Sequence, residues 1–249
     1  MANTNKSSIL LGLCLFIAGV MVIPMLASCG KNGVSASSGL NARLQMVNLS
    51  PDVQPFKLYA QYIKQSENAY SYPNNSNYFL VNTVDTPLQI RTAQIVNGVN
   101  PVNLLTLPGS LKPNIPYTWF VTGLLSDSSL TSILTVDTAS LPANGRGKIR
   151  FINASPNSPS LILTANDTIA FKNVAYKAQT DFIELTAGSY NLNVSAANAP
   201  KIVLSGKPNF SVLDGKLYTM YFYGLSNRAD SATYGTNIIL NSLPPGTKY

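Results

Sequence analysis

The stretch Arg43-Leu-Gln-Met-Val-Asn-Leu-Ser-Pro-Asp52 returns 105 residues later as Lys148-Ile-Arg-Phe-Ile-Asn-Ala-Ser-Pro-Asn157. Three of the ten positions are identical and five more are conservative. In both copies apolar and polar residues alternate before a Ser-Pro turn signal, and strict alternation is typical of a strand with one buried face. The pair therefore predicts an all-β fold built from a repeated unit.

Two further short stretches of sequence repeat in the same order. Tyr78-Phe79 aligns with Phe182-Ile183, and Tyr117-Thr-Trp-Phe-Val-Thr-Gly-Leu124 aligns with Tyr218-Thr-Met-Tyr-Phe-Tyr-Gly-Leu225. Short strands and frequent turns in units of this length predict two tandem β-sandwiches of immunoglobulin type. The expected organisation is a signal peptide (1–28), a flexible tether (29–41), a first sandwich (42–140), a Pro/Gly-containing linker (141–146) and a second sandwich (147–249).

The N-terminus has the features of an export signal. Lys6 precedes an apolar run from Ile9 to Leu26, and Leu26-Ala-Ser-Cys29 follows. The last four residues resemble the lipobox of bacterial lipoproteins, in which the chain is cut before the cysteine and the sulfur is acylated. The resemblance implies that Cys29 carries acyl chains such as palmitate, which anchor the protein to the membrane. The alternatives are an uncleaved anchor and an ordinary secreted protein.

The expected location is therefore the cell envelope, with the lipid in the outer membrane. The residues after the cysteine, Gly30-Lys31-Asn32, are not acidic, which favours the periplasmic face over the cell surface. All 10 acidic residues follow Cys29 and one of the 17 basic residues precedes it, so the mature chain has a net charge of +6. The export signal argues against nucleic acid as a partner.

The composition excludes several kinds of chemistry. Histidine is absent, which rules out His-based catalysis and His-ligated zinc. Cys14 lies in the apolar run, so Cys29 is the single cysteine of the mature chain and no disulfide can form within it. Nucleotide-binding and nucleophile motifs are missing, and the acidic residues are few and scattered. We therefore predict no catalytic residue, no metal site and no cofactor.

A basic group alternates along a predicted strand. Arg146, Lys148 and Arg150 are spaced by two residues, so their side chains can share one face. We interpret this group as a solvated strand face. Contact with an anionic lipid or polysaccharide is the alternative.

Tyrosines concentrate in the first copy, at Tyr59, Tyr62, Tyr70, Tyr72 and Tyr78, among Gln, Ser and Asn. Surfaces of this composition suit adaptable polar recognition. A turn signal follows Tyr72, so we predict that Tyr62, Tyr70 and Tyr72 lie on a surface loop and contact a ligand. The alternative is that Tyr59 and Tyr78 are core or cross-strand residues and the others are merely solvated.

Three short sequences resemble the O-glycosylation acceptor motif of exported proteins of Bacteroidota. The acceptors would be Thr138, Thr168 and Ser231. The same residues are equally ordinary in turns.

Four stretches of the second copy carry a family resemblance: Lys148 to Asn157, Phe171-Lys-Asn-Val-Ala-Tyr176, Leu185-Thr-Ala-Gly-Ser-Tyr-Asn-Leu-Asn-Val194 and Leu217-Tyr-Thr-Met220. They resemble domain-of-unknown-function family 4397, which is common in envelope proteins of Bacteroidota. In the first copy the resemblance is weaker and covers Met46 to Asp52 and Tyr117 to Gly123. It implies a β-sandwich and an envelope address but no reaction, because none is established for the family.

Two functional classes remain. One is a binding or adhesion module for a glycan or a protein, presented on a lipid tether. The other is a structural envelope or assembly component without a discrete ligand. A pocket lined by Tyr62, Tyr70 and Tyr72 would favour the first class, and a smooth polar surface would favour the second. We expect the first copy to contact any ligand, since it departs most from the family pattern.

Overall fold

The computed structural model describes residues 39–93 and 101–241, and in these ranges the chain forms strands and no helix. None of the described residues therefore belongs to a helix that could cross a membrane. The first eight strands are β1 (Asn41–Asn48), β2 (Phe56–Ala60), β3 (Ile63–Lys64), β4 (Phe79–Asn82), β5 (Leu88–Thr92), β6 (Asn103–Thr106), β7 (Pro116–Thr122) and β8 (Thr131–Val136). The next eight are β9 (Arg146–Asn153), β10 (Leu161–Ala165), β11 (Thr168–Val174), β12 (Ile183–Thr186), β13 (Gly188–Ala196), β14 (Ala199–Val212), β15 (Leu217–Tyr223) and β16 (Gly235–Leu240).

Each set of eight strands forms two four-stranded sheets. In the first sandwich the inner sheet has the order β4-β1-β7-β8 and the outer sheet the order β3-β2-β5-β6. In the second sandwich the inner sheet is β12-β9-β15-β16 and the outer sheet is β11-β10-β13-β14. The two orders agree strand by strand, including the parallel pairs β1 with β7 and β9 with β15. The predicted all-β fold with two sandwich-like domains is confirmed.

Each sandwich has its own apolar core between its inner and outer sheets. The alternate apolar residues of the strands supply it, because successive side chains point to opposite faces. The largest fully buried side chains of the first core are Leu44, Met46, Trp119, Phe56, Leu58 and Ile90. Their counterparts in the second core are Ile149, Phe151, Met220, Leu161, Leu163 and Val194.

A third core joins the two inner sheets. It contains Val47, Leu49, Phe120 and Ile133 from the first sandwich and Ile152, Ala154, Tyr221 and Ile239 from the second. The rings of Phe120 and Tyr221 meet with centroids 5.3 Å apart at an angle of 62°. Strand β7 is consequently buried at all seven positions. The central strands of the inner sheets, β1, β7, β9 and β15, thus have two buried faces, whereas the alternation in their sequences had predicted one.

The interpretation of the basic group as a solvated face is wrong for two of its three members. Lys148 is 9% exposed and Arg150 is 4% exposed, because the face that carries them packs against the first sandwich. Lys148 Nζ donates to the carbonyl and hydroxyl oxygens of Ser140, at 2.8 and 2.7 Å. Arg146 remains exposed.

Arg150 forms a buried ion pair with Asp137, which is fully buried at the end of β8. The Asp137 carboxylate also accepts hydrogen bonds from Thr118 (2.5 Å), Thr135 (2.8 Å) and Tyr78 (2.6 Å). Arg150 in turn donates through Nε to Thr219 (2.8 Å) and through Nη1 to the carbonyl of Val136 (2.7 Å). A charge pair taken out of water is tolerated when its remaining donors and acceptors are also satisfied, and this network satisfies them.

The repeated Ser-Pro motif closes one end of each sandwich. Asn48 Oδ1 accepts from the Ser50 amide at 3.1 Å, and Ser50 Oγ donates to the carbonyl of Gly123 at 2.7 Å. Gly123 has φ +82°, and a Cβ there would lie 2.2 Å from the Ser129 carbonyl oxygen, so only glycine fits. The second sandwich repeats the arrangement, with the same distances, at Asn153, Ser155 and Gly224. The Asn-x-Ser-Pro signal therefore serves the fold in both copies.

Replacing Arg150 with Met should lower the free energy of unfolding by about 3–5 kcal/mol, because Asp137 would stay buried without its cation. Urea denaturation measures the change. The matched control is Arg146→Met, which removes an exposed guanidinium whose Nε lies 3.9 Å from Glu184 and should cost less than about 1 kcal/mol. Equal stability of the two variants would contradict a structural role for the buried pair.

Candidate ligand-binding site

The segment between β3 and β4 lines a cleft of about 520 Å³ on the first sandwich. All lining residues come from 65–71 and 74–80. The volume lies within the range of small-molecule sites. The cleft is lined by part of the tyrosine-rich segment of the sequence.

Backbone hydrogen bonds to both sheets hold this segment in place. Tyr70 and Phe56 exchange amide-to-carbonyl bonds of 2.8 and 3.3 Å, which attach the segment to the outer sheet. The Ser76 amide donates to the carbonyl of Met46 at 2.8 Å, and the Asn48 amide donates to Asn74 at 3.0 Å, which attach it to the inner sheet. The cleft wall is thus anchored at several points, and its geometry exists without a ligand.

The lining is polar with an aromatic wall. Amide, hydroxyl and carboxylate groups come from Gln65, Ser66, Glu67, Asn68, Ser71, Asn74, Asn75, Ser76 and Asn77, and aromatic rings from Tyr70, Tyr78 and Phe79. Asn68 and Asn77 are exposed. Glu67 is paired with Lys64 at 2.9 Å, and this hydrogen bond lowers the pKa of the Glu67 carboxyl. The arrangement offers hydrogen bonds to a polyhydroxylated or amide-bearing ligand.

Tyr70 lies in the cleft wall and belongs to the first core as well. Its ring stacks on Phe79 with centroids 6.4 Å apart and packs against Phe56 at 5.8 Å. Burial raises the pKa of its hydroxyl. Tyr70 is therefore half-buried packing rather than part of an open surface loop.

Tyr72 and Tyr78 point toward the second sandwich. The Tyr72 ring meets the edge of Tyr223, with centroids 6.1 Å apart, and burial raises the pKa of Tyr72 to about 12. Tyr78 donates to Asp137, and burial together with that carboxylate raises the pKa of its hydroxyl. Tyr78 is thus a structural residue of the interface, in agreement with the alternative interpretation of the sequence.

Tyr62 lies away from the cleft, at the tip of the β2–β3 hairpin, where it is 65% exposed. Tyr62, Tyr70 and Tyr72 therefore contact three different parts of the molecule, and the structure does not bring them together. The sequence singled out the correct segment but missed its polar lining between Gln65 and Asn77. The run of Asn, Ser and Gln residues was the available signal.

The remaining predicted sites lie apart from the cleft. Thr168 and Ser231 are exposed, and Thr138 is half-buried. Asp137, the first residue of the motif around Thr138, is occupied by the ion pair with Arg150, so this acceptor has the least structural support. Cys29 lies outside the described residues. Within 39–93 and 101–241 no three Asp, Glu, His or Cys residues cluster as metal ligands do.

Tyr70→Ala should lower the free energy of unfolding by about 2 kcal/mol, because the half-buried ring fills part of the first core. Tyr62→Ala is the matched control and should change it by less than about 0.5 kcal/mol, since the ring is mostly solvated. Chemical denaturation of both variants tests the assignment. An unchanged free energy of unfolding for Tyr70→Ala would contradict the assignment of this ring to the first core.

Comparison with known proteins adds one finding. Residues 42–164 match the model of the family described as "Domain of unknown function (DUF4397)". No curated protein matches the chain. The match begins in β1, covers the whole first sandwich and ends in β10 of the second. The stretch that contains the cleft and most of the third core is therefore similar to DUF4397, a family whose description names no activity.

Proposed function

We propose that this protein is a lipid-anchored envelope module that binds a glycan through the cleft of its first sandwich. The observation that carries the proposal is the polar cleft of about 520 Å³ lined by residues 65–71 and 74–80. Its exposed amides can hydrogen-bond to sugar hydroxyls, and its tyrosine rings offer apolar area beside them. In an alternative form of this proposal, the cleft binds a protein ligand that presents polar side chains.

The N-terminal sequence supports the proposed location in the cell envelope. Cleavage and acylation at Cys29 would leave eleven residues, 30–40, between the acylated cysteine and β1. Covalent geometry limits the span of eleven residues to about 40 Å. The sandwiches would thus remain close to the outer membrane, with the periplasmic face favoured.

A structural role without a discrete ligand is the second candidate. The third core and the buried Arg150–Asp137 pair favour it, because they join two sandwiches into four stacked sheets. A stiff body of this kind suits a spacer or assembly component of the envelope.

The double change Asn68→Ala and Asn77→Ala should weaken glycan binding at least tenfold. The described structure gives neither side chain a hydrogen bond within the protein, so the free energy of unfolding should change by less than about 0.5 kcal/mol. A screen of neutral oligosaccharides followed by titration calorimetry provides the measurement. Asn198→Ala, an exposed amide in the second sandwich, is the control. Absence of any bound saccharide or protein would favour the structural candidate.

Purified protein from the native host should have a mass that corresponds to a chain beginning at acylated Cys29. Mass spectrometry of the intact protein and of its N-terminal peptide measures this. Cys29→Ser should move the protein from the membrane fraction to the soluble fraction or leave the signal uncut. A mature chain that retains Met1 would contradict the anchor.

A further inference from the structure

The outward face of the first outer sheet carries an arginine placed against two tyrosines. The Arg91 guanidinium carbon lies 5.2 Å from the ring centroid of Tyr59 and 5.1 Å from that of Tyr62. Ring faces attract cations, and they also restrict the rotamers of the long side chain. Arg91 Nη2 donates to Gln89 Oε1 at 2.8 Å, which orients the guanidinium further. The described residues accept no hydrogen bond from its Nε or Nη1.

Lys57 and Arg91, two cations of this face, have no acidic ion-pair partner among the described residues. Lys57 and Arg91 are directly opposite each other in the β2–β5 register, an arrangement in which like charges repel. All acidic residues of the chain lie within the described ranges, and none is within 4 Å of the Lys57 or Arg91 cationic groups. Glu67 feels the charge of Lys57, but its ion pair is with Lys64. The face therefore holds two adjacent cations that attract an anion.

Tyr62 reaches this position through an unfavourable turn. Ala60 pairs with Ile63, and the two residues between them, Gln61 and Tyr62, have φ of 47° and 68°. Such a turn strongly prefers Asn, Asp or Gly, because other side chains meet the backbone at positive φ. A bulky aromatic residue held in this conformation is an outlier of the kind that points to a function.

The second sandwich contains the same hairpin without the site. Its β10–β11 turn is Asn166-Asp167, with φ of 47° and 64°, which are the residue types expected there. The register positions that correspond to Lys57 and Arg91 are occupied by Ile162 and Ser195. The first sandwich thus has both the strained tyrosine and the two adjacent cations, and the second sandwich has neither, although the two hairpins have the same backbone conformation at the turn.

We propose that Lys57, Tyr59, Tyr62 and Arg91 form a second binding site, which takes the carboxylate of an acidic sugar such as a uronic acid. Arg91 Nη1 and the Lys57 ammonium would pair with the carboxylate, and the exposed ring of Tyr62 would pack on the sugar ring. The site deepens the proposed function, since it assigns acidic glycans as the ligand class, but it uses residues outside the cleft. Sulfated sugars present a related anion.

The test titrates the full-length protein in detergent with three probes: oligogalacturonate, its methyl ester and a sulfated oligosaccharide. We expect oligogalacturonate to bind and the uncharged ester to bind at least tenfold more weakly. Arg91→Gln should weaken oligogalacturonate binding at least tenfold. Preferential, Arg91-dependent binding of the sulfated probe would support the anion site and assign it to sulfated sugars.

Tyr62→Asn separates recognition from folding. Asn tolerates the positive φ of the turn, so the melting temperature should stay the same or rise while oligogalacturonate binding falls at least tenfold. Lys172→Gln removes an exposed cation from the second outer sheet and should leave binding unchanged. Equal losses for Lys172→Gln and Arg91→Gln would mean non-specific charge attraction and would overturn the site. Oligogalacturonate binding that does not depend on Arg91 would also overturn the site. The cleft is tested separately: loss of neutral-sugar binding in the Asn68→Ala/Asn77→Ala variant would still support it.

Discussion

The packing of one inner sheet on the other is the constraint on which the rest of the molecule depends. Phe120 and Tyr221 meet across this contact, and the Arg150–Asp137 pair also joins the two sandwiches. The Asp137 carboxylate accepts hydrogen bonds from the hydroxyls of Thr118, Thr135 and Tyr78. Because the central strands of the inner sheets have both faces covered, every residue of β7 is buried. The two proposed binding surfaces accordingly lie elsewhere, on the outer sheet and on the segment between β3 and β4.

The shared strand order makes the second sandwich an internal reference for the first. Positions that build the inner sheets and the Ser-Pro turns keep the same chemistry in both, as Ser50 and Ser155 do by donating to the equivalent glycine carbonyls. The outer sheet differs between the copies, with Lys57 and Arg91 in one and Ile162 and Ser195 in the other. Exposed faces carry fewer packing constraints, so that is where two copies of one fold can acquire different ligands.

Much of the fold could be predicted because its signals are local. Alternation in Arg43–Asp52 and Lys148–Asn157 indicated strands, and the order of the repeated stretches indicated two equivalent units. The candidate site was predictable only as a region. Tyr62, Tyr70 and Tyr72 lie close in sequence but are separated in space. Tyr62 lies at a hairpin tip, Tyr70 pairs with Phe56 beside the first core, and Tyr72 packs at the interface between the sandwiches.

By itself, the sequence determined the fold class, the repeated strands that begin near Arg43 and Lys148 and the lipobox resemblance at Cys29, because each depends on residues that are neighbours in the chain. The tertiary structure decided what covers each strand face. A period of two distinguishes the two faces of a strand, but it does not say whether the polar face meets water or another sheet. Arg150 therefore has the pattern of a solvated residue and the environment of a core residue, since its partner Asp137 comes from the other sandwich.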